Sequence, residues 1–440
     1  MALIVKAIRR NAFLQQAREL LSQAPLLGWL LGALLAVVLE LIVGDPLARA
    51  LGMSGAPALF GFRIMLKSPL LIPSAVVYVL LVYLLPVALM VWLPTRWTNW
   101  VAGKLLGLST LVSLLVHLGL LYAALHLWGS LNDYRVLVLR LTFIAVMVTL
   151  SLNIVNGYLG EFSCSHPGFM ALGAYVASVL TVLLFVDDDV FGSPLLPPAL
   201  GPIMFPLALI AGGLVASVGA LAVAIPSFRT RGDYLAIISL AFTFIVKSLI
   251  ENLEAIGGPR GFMNQPQWAP LPAVFVAMVI CVAIIYNFVR STVGKATCAV
   301  RDDETAAGHL TVNTRRTKMV AFLFAAFWAG VSGGLFAHVL GYINPGTFGL
   351  LKLSEVLAMV YLGGLNSVVG SIVGALGIQF LREILRPLEI LKWVVLPVII
   401  IGFMMFRPTG LISFTEFDVE DLLRPRAVEK EEVSDALASN

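Results

Sequence analysis

Histidine and cysteine are scarce in this chain, five and three among 440 residues, and charged residues make up only 12%. The cysteines, Cys164, Cys281 and Cys298, stand at no metal-like or redox-like spacing, so neither a disulfide nor thiol chemistry is expected. His117, His126, His309 and His338 share no ligand spacing either. A phosphate-binding loop is missing: the Gly103–Lys104 and Gly294–Lys295 pairs lack both the upstream glycine and the following hydroxyl, so nucleotide has to bind elsewhere. The formal net charge of +4 is spread over loops and forms no basic face with interleaved aromatics, which argues against a nucleic-acid partner. Ser163, Cys164 and His166 are too thin a constellation for an intramembrane nucleophile and base.

Apolar surface is what the sequence has in abundance. A hydrophobic content of 59% and a mean hydropathy of +0.95 exceed what a soluble core needs and predict an all-α polytopic membrane protein. A helix crosses the hydrocarbon core with roughly 20 apolar residues. Runs near that length recur at Ala24–Val43, Leu70–Trp92, Leu105–Trp128, Val136–Val155, Gly168–Val186, Pro202–Ala224, Tyr234–Leu253, Leu271–Val289 and Met319–Leu340. Lys6, Arg9, Arg10 and Arg18 precede the first run and no small-residue cleavage site follows it, so it reads as an uncleaved anchor with a cytoplasmic N-terminus. Alternation then puts Arg96, Lys104, Arg229 and Arg231 inside, as basic residues near span ends prefer. Asp187, Asp188, Asp189 and the segment Ile256–Pro266 fall outside. Arg49, Arg63 and Lys67 are external exceptions in a longer loop, and Trp92, Trp97 and Trp100 suit an interfacial belt.

Between two of these runs lies a polar island, Arg290 to Lys318. Arg290, Lys295, Arg301, Arg315, Arg316 and Lys318 place it on the cytoplasmic side, and Val293–Leu310 reads as a short amphipathic helix with acidic residues in its middle. A helix lying at the inner surface of a multi-span protein is a docking surface for a soluble partner.

Two glycine-interrupted segments, Asn153–Tyr175 and Val360–Leu376, suggest an internal repeat, and such pairs often mark a transport pathway. In the first, Asn153, Asn156, Glu161, Ser163 and His166 set polar groups beside a span, where ionisable residues are functional candidates; the alternative is a satisfied polar cluster that stabilises a broken helix. Gly157, Gly160, Gly168 and Gly173 read as close helix contacts. The second, around Tyr361–Ala375, fits a broken helix or a re-entrant pair. Arg231, Gly232, Asp233 and Tyr234 form either an N-capping turn or a second cytoplasmic contact. A last span near Trp393–Phe406 delivers the polar tail, read as mobile, to the cytoplasm. The total is about ten to eleven helices, organised as accessory N-terminal spans (1–130), a membrane domain (131–411) and a tail (412–440).

Several motifs carry a more specific likeness. RGDYLAI (Arg231–Ile237), GGPRGF (Gly257–Phe262), the stretch Val293–Phe322, AGVSGGLFA (Ala329–Ala337), LGGLNSVVG (Leu362–Gly370) and FRPTGL (Phe406–Leu411) resemble, in the same order, the second permease subunit of branched-chain amino-acid ABC importers. The resemblance covers about Leu141–Leu411 and not the first 130 or so residues. It implies a homologous second permease, two cytoplasmic ATPases that hold the ATP and Mg, and a periplasmic binding protein, with no cofactor on this chain. It further implies that the island couples to an ATPase through Gly294, Arg301, Asp302, Asp303, Glu304, Ala306 and Ala307, and that Gly257, Gly258 and Arg260 face the binding protein. The family commonly has an amide where Glu161 stands and Asn where Arg260 stands. Permeases for urea and short-chain amides share the pattern, and an ion-coupled carrier using Glu161 is the rival class.

Overall fold

The computed structural model describes residues 23–53, 55–57, 69–188, 191–228, 234–407, 409–412 and 418–426. Nine of the described helices are long and apolar enough to cross a membrane, and each coincides with one of the nine apolar runs. The protein is an all-α, multi-pass membrane protein. It divides into two compact units, Met1–Val136 with Phe417–Asn440, and Leu137–Glu416.

In the first unit α1 (Leu26–Ala50) packs against α2 (Ile72–Trp92), α3 (Thr95–Leu108) and α4 (Thr110–Ser130). A π turn at Leu80–Leu84 precedes Pro86 in α2, whose ring removes an N–H from the helical ladder. The α3 helix buries Thr98, Asn99 and Ala102 and leaves Trp97 and Trp100 exposed, a split that suits a helix lying along an interface. Glu40 of α1 takes a two-pronged ion pair from Arg135, at 2.7 and 3.1 Å, both side chains being buried. The Pro57 and Trp128 carbonyls accept from the two Nη groups as well, at 3.2 and 3.4 Å. Charges this far from water persist only when paired and hydrogen-bonded. Sequence reasoning overlooked the pair, although Glu40 is the sole charge in its apolar run.

The tail corrects an expectation. Instead of staying mobile throughout, residues 418–426 form a short helix, α16 (Val419–Leu423), that buries Leu423. Asn99 then ties this segment to the start of the first span, its Oδ1 accepting from the Arg426 N–H at 3.0 Å and its Nδ2 donating to the Gln23 carbonyl at 3.2 Å. One apolar side chain and one buried amide suffice to hold a segment whose composition is polar.

The second unit is built on α5 (Asp133–Asn153, prolonged by a π turn to Tyr158), α6 (His166–Phe185), α7 (Gly201–Ser227) and α12 (Thr314–Leu340). The last three interlock through glycine. A Cβ on Gly173 would fall on the Gly330 carbonyl, one on Gly333 would fall on the Met170 carbonyl, and one on Gly212 would stand 2.7 Å from the Gly173 oxygen. Without a water-to-lipid driving force between helices, such backbone approach is what holds a membrane bundle together. Around this core lie α8 (Tyr234–Glu251), α9 (Leu271–Arg290), the island helices α10 (Thr292–Asp302) and α11 (Glu304–His309), and α13 (Leu350–Gly363), α14 (Val368–Ile384) and α15 (Lys392–Phe406).

Tyr361–Ala375 is spanned by the end of α13 and the start of α14, with a turn between them. Gly374 abuts Met359 and Gly370 abuts Gly363, so α13 and α14 run antiparallel about the turn Gly364–Ser367. Gly364 (φ 114°) and Asn366 (φ 58°) make that turn. Its other side is closed by the chain after α15: Leu411 N–H donates to the Leu362 carbonyl and Ile412 N–H to the Gly363 carbonyl, each at 2.9 Å. Two motifs far apart in sequence, LGGLNSVVG and FRPTGL, are thus one joint.

Candidate functional site

The α5 helix stops for a visible reason. Beyond Asn153 its hydrogen bonds lengthen to a π turn, Leu159 N–H reaching the Ile154 carbonyl at 2.9 Å and Glu161 N–H the Val155 carbonyl at 3.1 Å, and Gly160 then turns the chain at φ 74°. A connector runs to Ser165 before α6 restarts at His166 with Pro167 in its first turn. Buried backbone without helix needs other partners, and the side chains supply them. The Ser163 N–H donates to Asn156 Oδ1 at 3.2 Å, the Cys164 N–H to Ser239 Oγ at 2.9 Å, and Thr243 Oγ1 donates to the Cys164 carbonyl at 2.9 Å. Ser163 and Ser165 share a hydrogen bond at 2.9 Å. Burial pushes the Cys164 thiol above its ordinary range.

The two interruptions meet here. Asn153 Nδ2 donates to Ser371 Oγ at 2.6 Å and to the Ser367 carbonyl at 3.1 Å, while its Oδ1 accepts from the Asn366 N–H at 3.3 Å. Gly157 lies so close that a Cβ on it would overlap Asn153 Oδ1. Asn153, Asn156, Ser163 and His166 are all buried. Glu161 is not with them: it points to the edge of the bundle and accepts from Lys318 Nζ at 2.7 Å.

The island packs on the same break. Ser291 caps α10 by accepting from the Gly294 N–H at 3.2 Å, and a Cβ on Gly294 would fall on the Phe288 and Val289 carbonyls. Glycine is therefore what lets α10 fold back against the end of α9. Arg301 lays its aliphatic stem over Gly160, where a Cβ would overlap Cγ of the arginine. The acidic run has internal duties. Asp302 pairs with Arg301 at 2.7 Å, Asp303 caps α11 by accepting from the Thr305 and Ala306 N–H groups at 2.9 Å, and Glu304 accepts from Lys318 at 2.9 Å. Asp302, Asp303, Glu304 and Ala306 are exposed, whereas Ala307 is buried. The amphipathic helix expected over Val293–Leu310 is thus two helices, α10 and α11, hinged at the Asp303 cap. Lys318 escaped sequence reasoning as a site residue; it read as one more topogenic cation.

At the opposite end of the bundle GGPRGF forms two successive tight turns, with Gly257, Gly258 and Gly261 at φ 86°, 49° and 87°. Phe262 and Ile343 pair as a β-bridge, with N–H···O bonds of 2.8 and 3.0 Å in the two directions. Tyr342 donates to the Arg260 carbonyl at 2.7 Å and Asn344 to that of Pro259 at 3.3 Å. Gly258 is buried and Arg260 exposed. Of the RGDY group, Arg231, Gly232 and Asp233 lie outside the described residues; Tyr234 opens α8 with an exposed side chain.

Nine apolar spans, a glycine-locked core, paired interruptions joined at its interior and a polar helical island at one end define a membrane permease. The chain belongs to the family of branched-chain amino-acid transport system permease components, which matches residues 134–406. It is 30% identical over 310 residues to the high-affinity branched-chain amino-acid transport system permease protein LivM of Escherichia coli, covering 62% of this chain and 69% of that one. Against LivM of Salmonella typhimurium the identity is 29% with the same coverage. The autoinducer 2 import system permease protein LsrC of Photorhabdus luminescens is 29% identical over 136 residues, 30% of this chain and 40% of that one. No solved structure matches significantly.

Proposed function

We propose that the chain is the translocating subunit of an ATP-driven importer for branched-chain or other apolar amino acids. In this reading it lies in the cytoplasmic membrane, with the island and both termini inside. It pairs with a homologous permease, two ATPases that carry the ATP and Mg dock beneath it, and a periplasmic binding protein delivers substrate to the GGPRGF platform. The carrying observation is the seat of the island: α10 folds back through Gly294 and rests on the α5 break through Arg301 and Gly160, while α11 offers an exposed face with Ala306. A short helix free on one side and seated on a helix break on the other is suited to pass a push from a soluble subunit into the bundle. The motif pattern and the identity to LivM proteins favour amino acids over urea or amides.

Deleting the gene tests the substrate. Uptake of labelled leucine, isoleucine and valine is expected to fall and to return on complementation. Undiminished amino-acid uptake with lost uptake of urea or a short amide would overturn the assignment.

A further inference from the structure

Lys318 holds two carboxylates that belong to different segments of the second unit. Glu304 starts α11 on the island, and Glu161 sits on the connector that follows the α5 break, its own N–H tied to the π turn through Val155. The ammonium reaches both, at 2.7 and 2.9 Å, and the lysine side chain is only 13% exposed, against 25% for that of Glu161 and 51% for that of Glu304. Arg301 adds a steric contact between the same two parts by covering Gly160. The break is in turn joined to the α13–α14 turn through Asn153. A continuous set of contacts therefore runs from the island surface to the interior joint, and Lys318 between the two glutamates is a charged link in it.

We propose that Lys318 is a positioning residue, an ionic latch that locks the Gly160–Ser165 connector to the island and transmits island displacement to the helix break. The latch rests on the reading of the island as a docking surface for an ATPase. With the island seated, one ammonium bridges both carboxylates and the connector, Cys164 included, stays packed. If the island shifts, Glu304 leaves the ammonium and the connector loses its ionic tie to the island, while Glu161 keeps Lys318. Removing the ammonium cuts both ties, and two uncompensated carboxylates then face each other. Glu161 gives the latch its second anion.

Native thiols report the latch without any partner. Cys164 lies three residues beyond Glu161 and is buried, and Cys281 within α9 is fully buried and serves as the reference. In membranes carrying the full chain with Cys298→Ser, N-ethylmaleimide labelling of Cys164 is expected to accelerate about fivefold or more in Lys318→Gln, the factor by which opening rises when a coupling of roughly 1 kcal/mol is lost. Glu161→Gln is expected to do the same, and the double variant to add little to either single change. Cys281 should label at the parental rate throughout. An unchanged Cys164 rate overturns the latch, and so does parallel acceleration at Cys281, since that would make Lys318 a general stabiliser. Fully additive rates in the double variant also overturn it. A separate arm concerns the docking reading: the latch variants should still co-purify ATPase subunits but take up less substrate per ATP hydrolysed. Failure of even the parent chain to retain an ATPase would remove the docking reading and leave the thiol result standing.

Discussion

Asn153 and Asn366, 213 residues apart, are joined side chain to backbone at 3.3 Å, and through them the two glycine-interrupted segments of the chain become one structure. The first segment supplies an amide side chain at the end of a helix, and the second supplies a turn with backbone groups left over. Each satisfies what the other leaves open. Because both are buried, neither finds water as a substitute.

Asn153→Ala therefore should be costly. It removes donors to Ser367 and Ser371 and the acceptor for Asn366, and a buried polar group left unpaired costs about 1–3 kcal/mol. A clear drop in thermal stability of the purified subunit is expected, with Asn153→Asp also impaired because it loses the two donated bonds. Wild-type stability in both variants would show that the joint carries no structural weight.

Glycines separate into those that touch backbone and those that face open space. Gly173→Ala and Gly333→Ala put a methyl group onto the Gly330 and Met170 carbonyls and are expected to reduce folded yield sharply, whereas Gly119→Ala meets nothing within 4 Å and should be silent. The measurement is the monodisperse fraction after detergent extraction. A similar loss in all three would deny the interlocked core.

Gly294→Ala tests the seat of the island. Its methyl would collide with the Phe288 and Val289 carbonyls, so α10 has to lift, and Cys298 on α10 should label faster with a thiol reagent. Gly308→Ala, whose nearest neighbour is a Thr314 methyl at 3.9 Å, is the matched control. Equal labelling in the two variants would contradict the fold-back.

Sidedness follows from the basic island and the acidic opposite end. Cysteines placed at Asp187 or Arg260, both exposed, should react with an impermeant reagent in intact cells, and Cys298 only after the membrane is opened. External labelling of Cys298 would invert the topology.

The spans were legible because a membrane helix declares itself by composition alone; apolar runs such as Pro202–Ala224 and Met319–Leu340 leave no alternative. GGPRGF was legible as a rigid turn for a similar local reason, since glycine at positive φ and proline act on their own neighbours. What stayed hidden depends on distant pairing. Glu40 and Arg135 are 95 residues apart, and Lys318 and Glu161 are 157 apart, so charge pattern along the chain says nothing of either pair. The docked tail escaped for the opposite reason: a polar composition outweighed the one leucine and the one amide partner that fix it.

The proposed docking of a soluble ATPase on the island is tested by Ala306→Trp. Ala306 is exposed and its side chain takes part in no cap or ion pair described above, so the bulky ring should leave the subunit folded and inserted while blocking close approach to α11. Co-purification of the ATPase subunits is expected to be lost in this variant and kept in Ala306→Ser, at equal permease yield. Full retention of the ATPases by Ala306→Trp would contradict the account.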